Sequence, residues 1–294
     1  MRVLVAGDSL GLPRPHRINS YSPDETDLAV SYEQTYSSII NRELLKYYKM
    51  NPYVEVINRS RRSQTIANVA EEFLDHLFFY EPDIIIMQVG LVDCWFREDM
   101  GRRQLVDKES YKGYLLNILE VLKHRPACKL LIIGIAPTSE KMEKKYNGIN
   151  QEIRLYNQVL KSVVDNKTIF YVDMEQYVKP EQSLKYLLPD GQHLNQEGNK
   201  LVAEKAIGLL KGFIYADLGV QQYNDGDVEE AIRYFEKSYD VAPLDLNNIY
   251  NMMVIYFGNQ DNEKLEQLIN YIRSNKFDDA EILNIIEVVQ ADRD

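Results

Sequence analysis

Val3-Leu4-Val5-Ala6-Gly7-Asp8-Ser9-Leu10 opens the chain with an apolar run that stops at a glycine and hands over to an acid and a serine. Four apolar residues in a row, bounded by a turn signal, read as a strand buried on both faces, the kind a parallel sheet uses. The same pattern returns at Val54 to Asn58, Ile84 to Val89, Lys129 to Ile135 and Thr168 to Val172. Stretches of helical length and periodicity accompany these runs at Tyr32 to Lys49, Thr65 to Phe79, Lys108 to Lys123, Gly148 to Val164 and Gln196 to Leu210. This alternation predicts an α/β fold over residues 1–212, a three-layer α/β/α sandwich around a five-stranded, mostly parallel sheet. Functional loops of such a sheet lie at the carboxyl ends of its strands. Gly7-Asp8-Ser9, Asn58 to Thr65 and Gly90 to Cys94 all fall there.

Beyond Phe213 the strand signal stops, and residues 213–294 read as a small all-α domain of helices separated by Asn/Asp/Gly or Pro breaks. Tyr215, Leu218, Gly219, Ala231, Phe235, Ser238 and Pro243 stand at the spacing of the 34-residue tetratricopeptide repeat, which they resemble. Ile249, Met252, Met253, Tyr256, Leu265, Ile269 and Ile272 form a degenerate second copy, followed by a helix near Asp279 to Val289. Such arrays imply a protein partner or self-association through these helices.

The net charge of −11 is uneven, because residues 213–294 hold 17 acids against 6 bases and the first 212 residues hold 28 of each. An acidic tail is a poor partner for nucleic acid. The longest apolar runs, Ile84 to Val89 and Leu130 to Ala136, are far shorter than the roughly 20 residues a membrane-spanning helix needs, so no membrane insertion is expected. Met1 leads straight into the first strand, and the expectation is a cytoplasmic protein. Two cysteines, Cys94 and Cys128, exclude a disulfide framework. No His, Cys, Asp or Glu cluster has metal-ligand spacing, so neither metal nor cofactor is expected.

A serine becomes a nucleophile when a base takes its proton and a third group orients that base. Ser9, at a strand-to-loop turn, has the placement. Leu188-Pro189-Asp190-Gly191-Gln192-His193 has the rest, since an Asp three residues before a His can lie against the imidazole and leave its other nitrogen facing the serine. With Gly7-Asp8-Ser9-Leu10 near the amino terminus and Asp190-x-x-His193 after the last strand, residues 1–212 resemble the GDSL/SGNH hydrolases. The resemblance implies Ser9 as nucleophile, His193 as general base and then acid, and Asp190 as its support. It further implies an oxyanion site built from the backbone of Ser9, Ser63 and Gly90. In the second block, Asn58 to Thr65, Ser63 stands where the family has glycine. In the third, Gly90-Leu91-Val92-Asp93, Val92 replaces an asparagine whose side chain would be a further oxyanion donor, a role Gln88, Arg59 or Arg97 would then take over.

The loops expected around Ser9 carry Arg14, His16 and Arg17, then Arg59, Arg61 and Arg62, then Arg97, Arg102 and Arg103. Guanidinium groups bind carboxylate or phosphate in bidentate fashion, which points to an anionic substrate met by Arg14, Arg59, Arg62 and Arg97, with Asp93 beside them. Local acids, Asp24, Glu25, Asp27, Glu98 and Asp99, offer these arginines an alternative as a solvated face. The expected activity is a serine esterase releasing small acyl groups, O-acetyl above all, from a carbohydrate or other anionic ester. An O-acyltransferase of the same mechanism and a catalytically weak scaffold serving as an interaction module are the alternatives.

Overall fold

The computed structural model describes residues 1–14, 29–47, 54–97 and 100–291. Two compact units divide the chain, Met1–Ile207 and Gly208–Asp294.

In the first unit, five strands form one sheet: β1 (Arg2–Gly7), β2 (Glu55–Asn58), β3 (Ile84–Gln88), β6 (Lys129–Ile133) and β7 (Ile169–Val172). Their order is β2-β1-β3-β6-β7 and every neighbouring pair is parallel. β3 is buried at all five positions, as an unbroken Ile-Ile-Ile-Met-Gln run demands. Side chains alternate across the sheet. Leu4, Ala6, Ile85, Met87, Leu130 and Ile132 face a layer made by α2 (Ile66–Phe78), α4 (Lys108–Leu122) and α6 (Ile149–Lys161). The opposite face is left to α1 (Tyr36–Tyr47) and the start of α7 (Gln196–Asn224), which are tied together where Asn199 Oδ1 accepts the Tyr36 N–H at 3.0 Å. After β1 the chain steps to β2 on one side, then crosses back to β3 on the other. The carboxyl end of β1 is therefore the switch point of the sheet, the crevice where ligands bind in such folds.

Several elements differ from the expected ones. Tyr32–Gln34 is a separate 3-10 turn, cut off by the extended Thr35, so α1 starts at Tyr36. Four short elements were not expected: α3 (Leu91–Cys94), α5 (Glu140–Lys145) and a hairpin of β4 (Phe96–Arg97) with β5 (Arg103–Gln104). Elements this short have no periodicity to read. α7 does not stop at Leu210, because no breaker follows until Asn224-Asp225-Gly226. It crosses the division between the units, which falls at Ile207/Gly208.

The second unit is all helical: the end of α7, then α8 (Val228–Val241), α9 (Leu246–Gly258), α10 (Asn262–Asn275) and α11 (Ala280–Ala291). Asp227, Asp245 and Asp261 cap α8, α9 and α10 through side-chain oxygens that accept backbone N–H groups of the first turn. Phe235, Ile249, Met253, Leu265, Ile269, Ile282 and Val289 form its core. The small residues sit at helix contacts, since a Cβ on Gly219 would lie 2.5 Å from the Phe235 ring and the Ser238 hydroxyl donates to Gly212 O at 2.8 Å. No helix among the described residues is long and apolar enough to cross a membrane.

Candidate active site

Ser9 leaves β1 as the first residue of a 3-10 turn, Ser9–Gly11, capped by Asp8, whose Oδ1 accepts the Leu10 N–H at 2.9 Å. The Asp8 N–H donates to Gln88 O at 3.1 Å, so the turn stays pinned to β3. From the other end of the unit, a tight turn closes between Leu187 and Leu194, where Leu188 N donates to His193 O at 2.7 Å. Asp190 organises this turn. Its Oδ1 accepts the N–H groups of Gln192 (3.1 Å) and His193 (3.0 Å), and its Oδ2 lies 2.8 Å from His193 Nδ1. His193 Nε2 lies 3.0 Å from Ser9 Oγ.

A carboxylate only accepts, so Nδ1 carries the proton and Nε2 is the nitrogen free to take one from Ser9. Burial pushes the Asp190 pKa up, but the hydrogen bond and charge of His193, with the N–H groups of His193 and Gln192, outweigh it and leave the carboxyl below its usual range. Asp190 is thus ionised wherever the imidazole works as a base. Sequence reading missed the asparagines beneath the site. Asn58 donates to Gly11 O (2.8 Å) and Ser37 Oγ (3.1 Å), and Asn195 donates to Leu184 O (3.0 Å) while accepting from Gly198 N (2.9 Å). Their only signal was an amide side chain at the end of a strand or the start of a helix.

The three backbone groups expected at the oxyanion lie at the carboxyl ends of the three adjacent strands β2, β1 and β3. Among the described residues, none of the N–H groups of Ser9, Ser63 and Gly90 is taken by a backbone carbonyl. Ser63 has φ of 58°, the left-handed region that a glycine occupies without cost, so the loop keeps a glycine's conformation around a serine. Gly90, with φ of 139°, caps α3, and a Cβ there would lie 2.4 Å from Ile135 Cδ1. Val92 is half-buried on α3 and supplies no polar side chain. Gln88, one expected substitute donor, is buried with both amide atoms unpartnered among the described residues.

The arginines part company. Arg14 pairs with Val30 through two 2.8 Å backbone hydrogen bonds and brings Nη2 to 3.6 Å from Asp190 Oδ2, the oxygen that faces His193. Arg62 is exposed on the loop beside Ser63. Arg97 lies over the Trp95 ring at 5.5 Å. Two expected site residues have partners within the fold. Arg59 lies over the Tyr80 ring at 5.5 Å and helps burial push the neighbouring His76 down to about 4, in the last turn of α2, about 15 Å along that helix from its start. Its guanidinium is thus engaged with an aromatic ring of the fold. Asp93 is fully buried, its Oδ1 accepting the Ile66 N–H at 2.9 Å and its carbonyl accepting Leu105 N and Val106 N, so it anchors α2 and the hairpin. Arg61 is paired with Glu72, while Arg102 and Arg103 are exposed. His16, Arg17, Asp24, Glu25, Asp27, Glu98 and Asp99 lie outside the described residues. Among the described residues, no group of three or more His, Cys, Asp or Glu could hold a metal.

Asp93 and Asp8 give the fold a pH dependence. Burial pushes the Asp93 pKa up to about 7, the Ile66 N–H opposing it and the Asp8 charge adding to it. Asp8 is also pushed up to about 7 by burial, partly relieved by the Leu10 N–H and by His193. An unfolded aspartate titrates near about 3.9, so between about pH 4 and 7 the folded chain holds more protons than the unfolded one. Stability from these groups is complete below that window and declines as pH rises through it. Asp93→Asn keeps an acceptor for Ile66 and removes one titration. The expected result is a Tm above wild type at pH 8, with a margin that shrinks toward pH 4; a margin independent of pH refutes the assignment.

A model of the GDSL-like lipase/acylhydrolase family matches residues 19–201. The chain belongs to that family. Asp190 and His193 lie inside the match and Ser9 just before it, so the GDSL serine rests on the geometry above. Ester hydrolysis is the chemistry of this GDSL-family chain. Its fold is similar to an α/β hydrolase, LAE5, from the metagenome of Lake Arreo, Spain (17% identity, TM-score 0.51, covering 69% of this chain and 91% of the other). It is also similar to a lipase/acylhydrolase from Enterococcus faecalis (17%, 0.51, 70% and 94%) and to the acetyl xylan esterase AlAXEase (18%, 0.51, 69% and 96%). No curated protein sequence matches the chain.

Proposed function

We propose that this enzyme removes small acyl groups, O-acetyl above all, from a carbohydrate through an acyl-enzyme on Ser9. One observation carries the reading: the unbroken relay from Ser9 Oγ to His193 Nε2 at 3.0 Å and from His193 Nδ1 to Asp190 Oδ2 at 2.8 Å. Ser9 Oγ attacks the ester carbonyl as His193 takes its proton. The carbonyl oxygen becomes an oxyanion facing the N–H groups of Ser9, Ser63 and Gly90. His193 then gives the proton to the departing alcohol oxygen, and water repeats the sequence to release the acid. With Val92 in place of a donor, three backbone dipoles carry the developing charge.

The acetyl xylan esterase of similar fold supports a carbohydrate ester. An anionic substrate keeps less support than the sequence suggested, since Arg59 and Arg61 are engaged elsewhere and Arg14 and Arg62 remain. Gly219, Ala231 and Ser238 at helix contacts support reading the second unit as a short tetratricopeptide-like module for a protein partner or self-association. A fluorophosphonate probe tests the relay. The wild type is labelled, Ser9→Ala is not, and His193→Ala is labelled far more slowly; an unlabelled wild type ends the proposal.

A further inference from the structure

Beside the turn that carries Asp190 and His193 lies a groove of about 690 Å³, within the size range of ligand sites. One wall is the turn itself, Pro189 and Gly191, with Asp190 between them directing its carboxylate to the imidazole. That wall is fixed. Ser139 N donates to Gly191 O at 2.9 Å, and a Cβ on Gly191 would lie 2.1 Å from Ser139 Oγ. The facing walls are the start of α5, with Glu140 and Lys141, and the 3-10 segment Pro180–Lys185.

Glu140, Lys141, Glu181 and Gln182 use their side chains in no hydrogen bond or ion pair among the described residues, and Lys185 only leans on the Tyr186 ring at 4.9 Å. Leu184 is 67% exposed in the same segment. Two carboxylates and two ammonium groups sum to zero charge, so an anion meets Glu140 and Glu181 while a cation meets Lys141 and Lys185. Pro180, Leu184 and Pro189 give the groove apolar surface between these charged groups, so its occupant presents both polar and apolar faces. A hydroxyl both donates and accepts, and so answers carboxylate, ammonium and amide alike. The C–H face of a sugar ring covers Leu184 and the prolines.

We infer that this groove binds an uncharged, polyhydroxylated chain, the glycan that bears the ester. The inference rests on the esterase reading above, and it adds a glycan subsite beside the turn that carries His193.

Binding is read apart from turnover, by saturation-transfer NMR of unesterified xylohexaose, cellohexaose and mannohexaose against the whole chain, with p-nitrophenyl acetate hydrolysis followed in parallel. The expected result is that at least one hexasaccharide binds, and that Glu181→Ala with Gln182→Ala weakens it about tenfold, the loss of one to two hydrogen bonds, while p-nitrophenyl acetate turnover is unchanged. If that pair fails to fold, Leu184→Glu, a change at one exposed side chain, is expected to weaken binding similarly. No binding by any hexasaccharide to the wild type, or equal binding by a folded variant, overturns the inference. A wild type that binds sugar but hydrolyses no p-nitrophenyl acetate sinks the esterase reading alone.

Discussion

Replacing Ser9 with alanine lowers kcat for p-nitrophenyl acetate by about 10⁴- to 10⁶-fold, and replacing His193 as well lowers it hardly further. The 3.0 Å and 2.8 Å contacts make the three side chains one proton-transfer unit. Without the hydroxyl, the imidazole has no proton to accept. Without the imidazole, the hydroxyl at neutral pH is too weak a nucleophile. The two losses are the same loss, so their logarithms do not add. Asp190→Asn is expected to cost about 10⁴-fold on its own, because an amide can donate to Nδ1 and trap the ring in the wrong tautomer. Steady-state kinetics on the two single variants and the double variant decide the matter. Multiplicative losses would show that Ser9 and His193 act at separate steps.

Gly7→Ala, a single added methyl, is expected to lower Tm by about 10 °C or more, or to leave the chain insoluble. A Cβ at Gly7 would stand 2.1 Å from the Gln88 carbonyl oxygen and 3.0 Å from its carbon, both backbone atoms of the neighbouring strand. That oxygen already accepts the Asp8 N–H, so β1 cannot yield without releasing the nucleophile's turn. Prying apart the two central strands costs on the order of 4 kcal/mol or more, a large part of the roughly 5–15 kcal/mol that holds a domain folded. The same substitution at Gly113 is the contrast. Gly113 lies inside α4 with open space where its Cβ would go, and Gly113→Ala should stabilise by about 0.5–1 kcal/mol. Thermal unfolding followed by circular dichroism compares the two; a Gly7→Ala protein that melts with the wild type means that the sheet tolerates separation at this point.

The sheet was legible because its inner strands, β1, β3 and β6, are buried on both faces. Val3 to Gly7 and Ile84 to Met87 have no polar residue to confuse their period. The acid and base of the site were legible because they are three residues apart, so local geometry alone brings them together. The arginines were not. A guanidinium on its long stem goes where a partner waits, and the Tyr80 ring that claims Arg59 is distant in sequence from the strand end that bears it. Asp93 looked like a site residue because it follows a recognisable glycine, yet one oxygen of its carboxylate holds the Ile66 N–H at the start of α2. The continuation of α7 past Leu210 was not read, although Gly208 and Gly212 do not break it. Within the second unit Gly212 instead leaves room for Ala242, whose Cβ would lie 2.4 Å from one placed on the glycine.

The two oxygens of Asp190 have separate employments, one holding the backbone of its own turn and the other addressing the imidazole. Chain length between positions 190 and 193 is consequently frozen, because a single inserted residue would break both sets of contacts together. The turn from Leu187 to Leu194 thus carries acid and base together as one unit of fixed length.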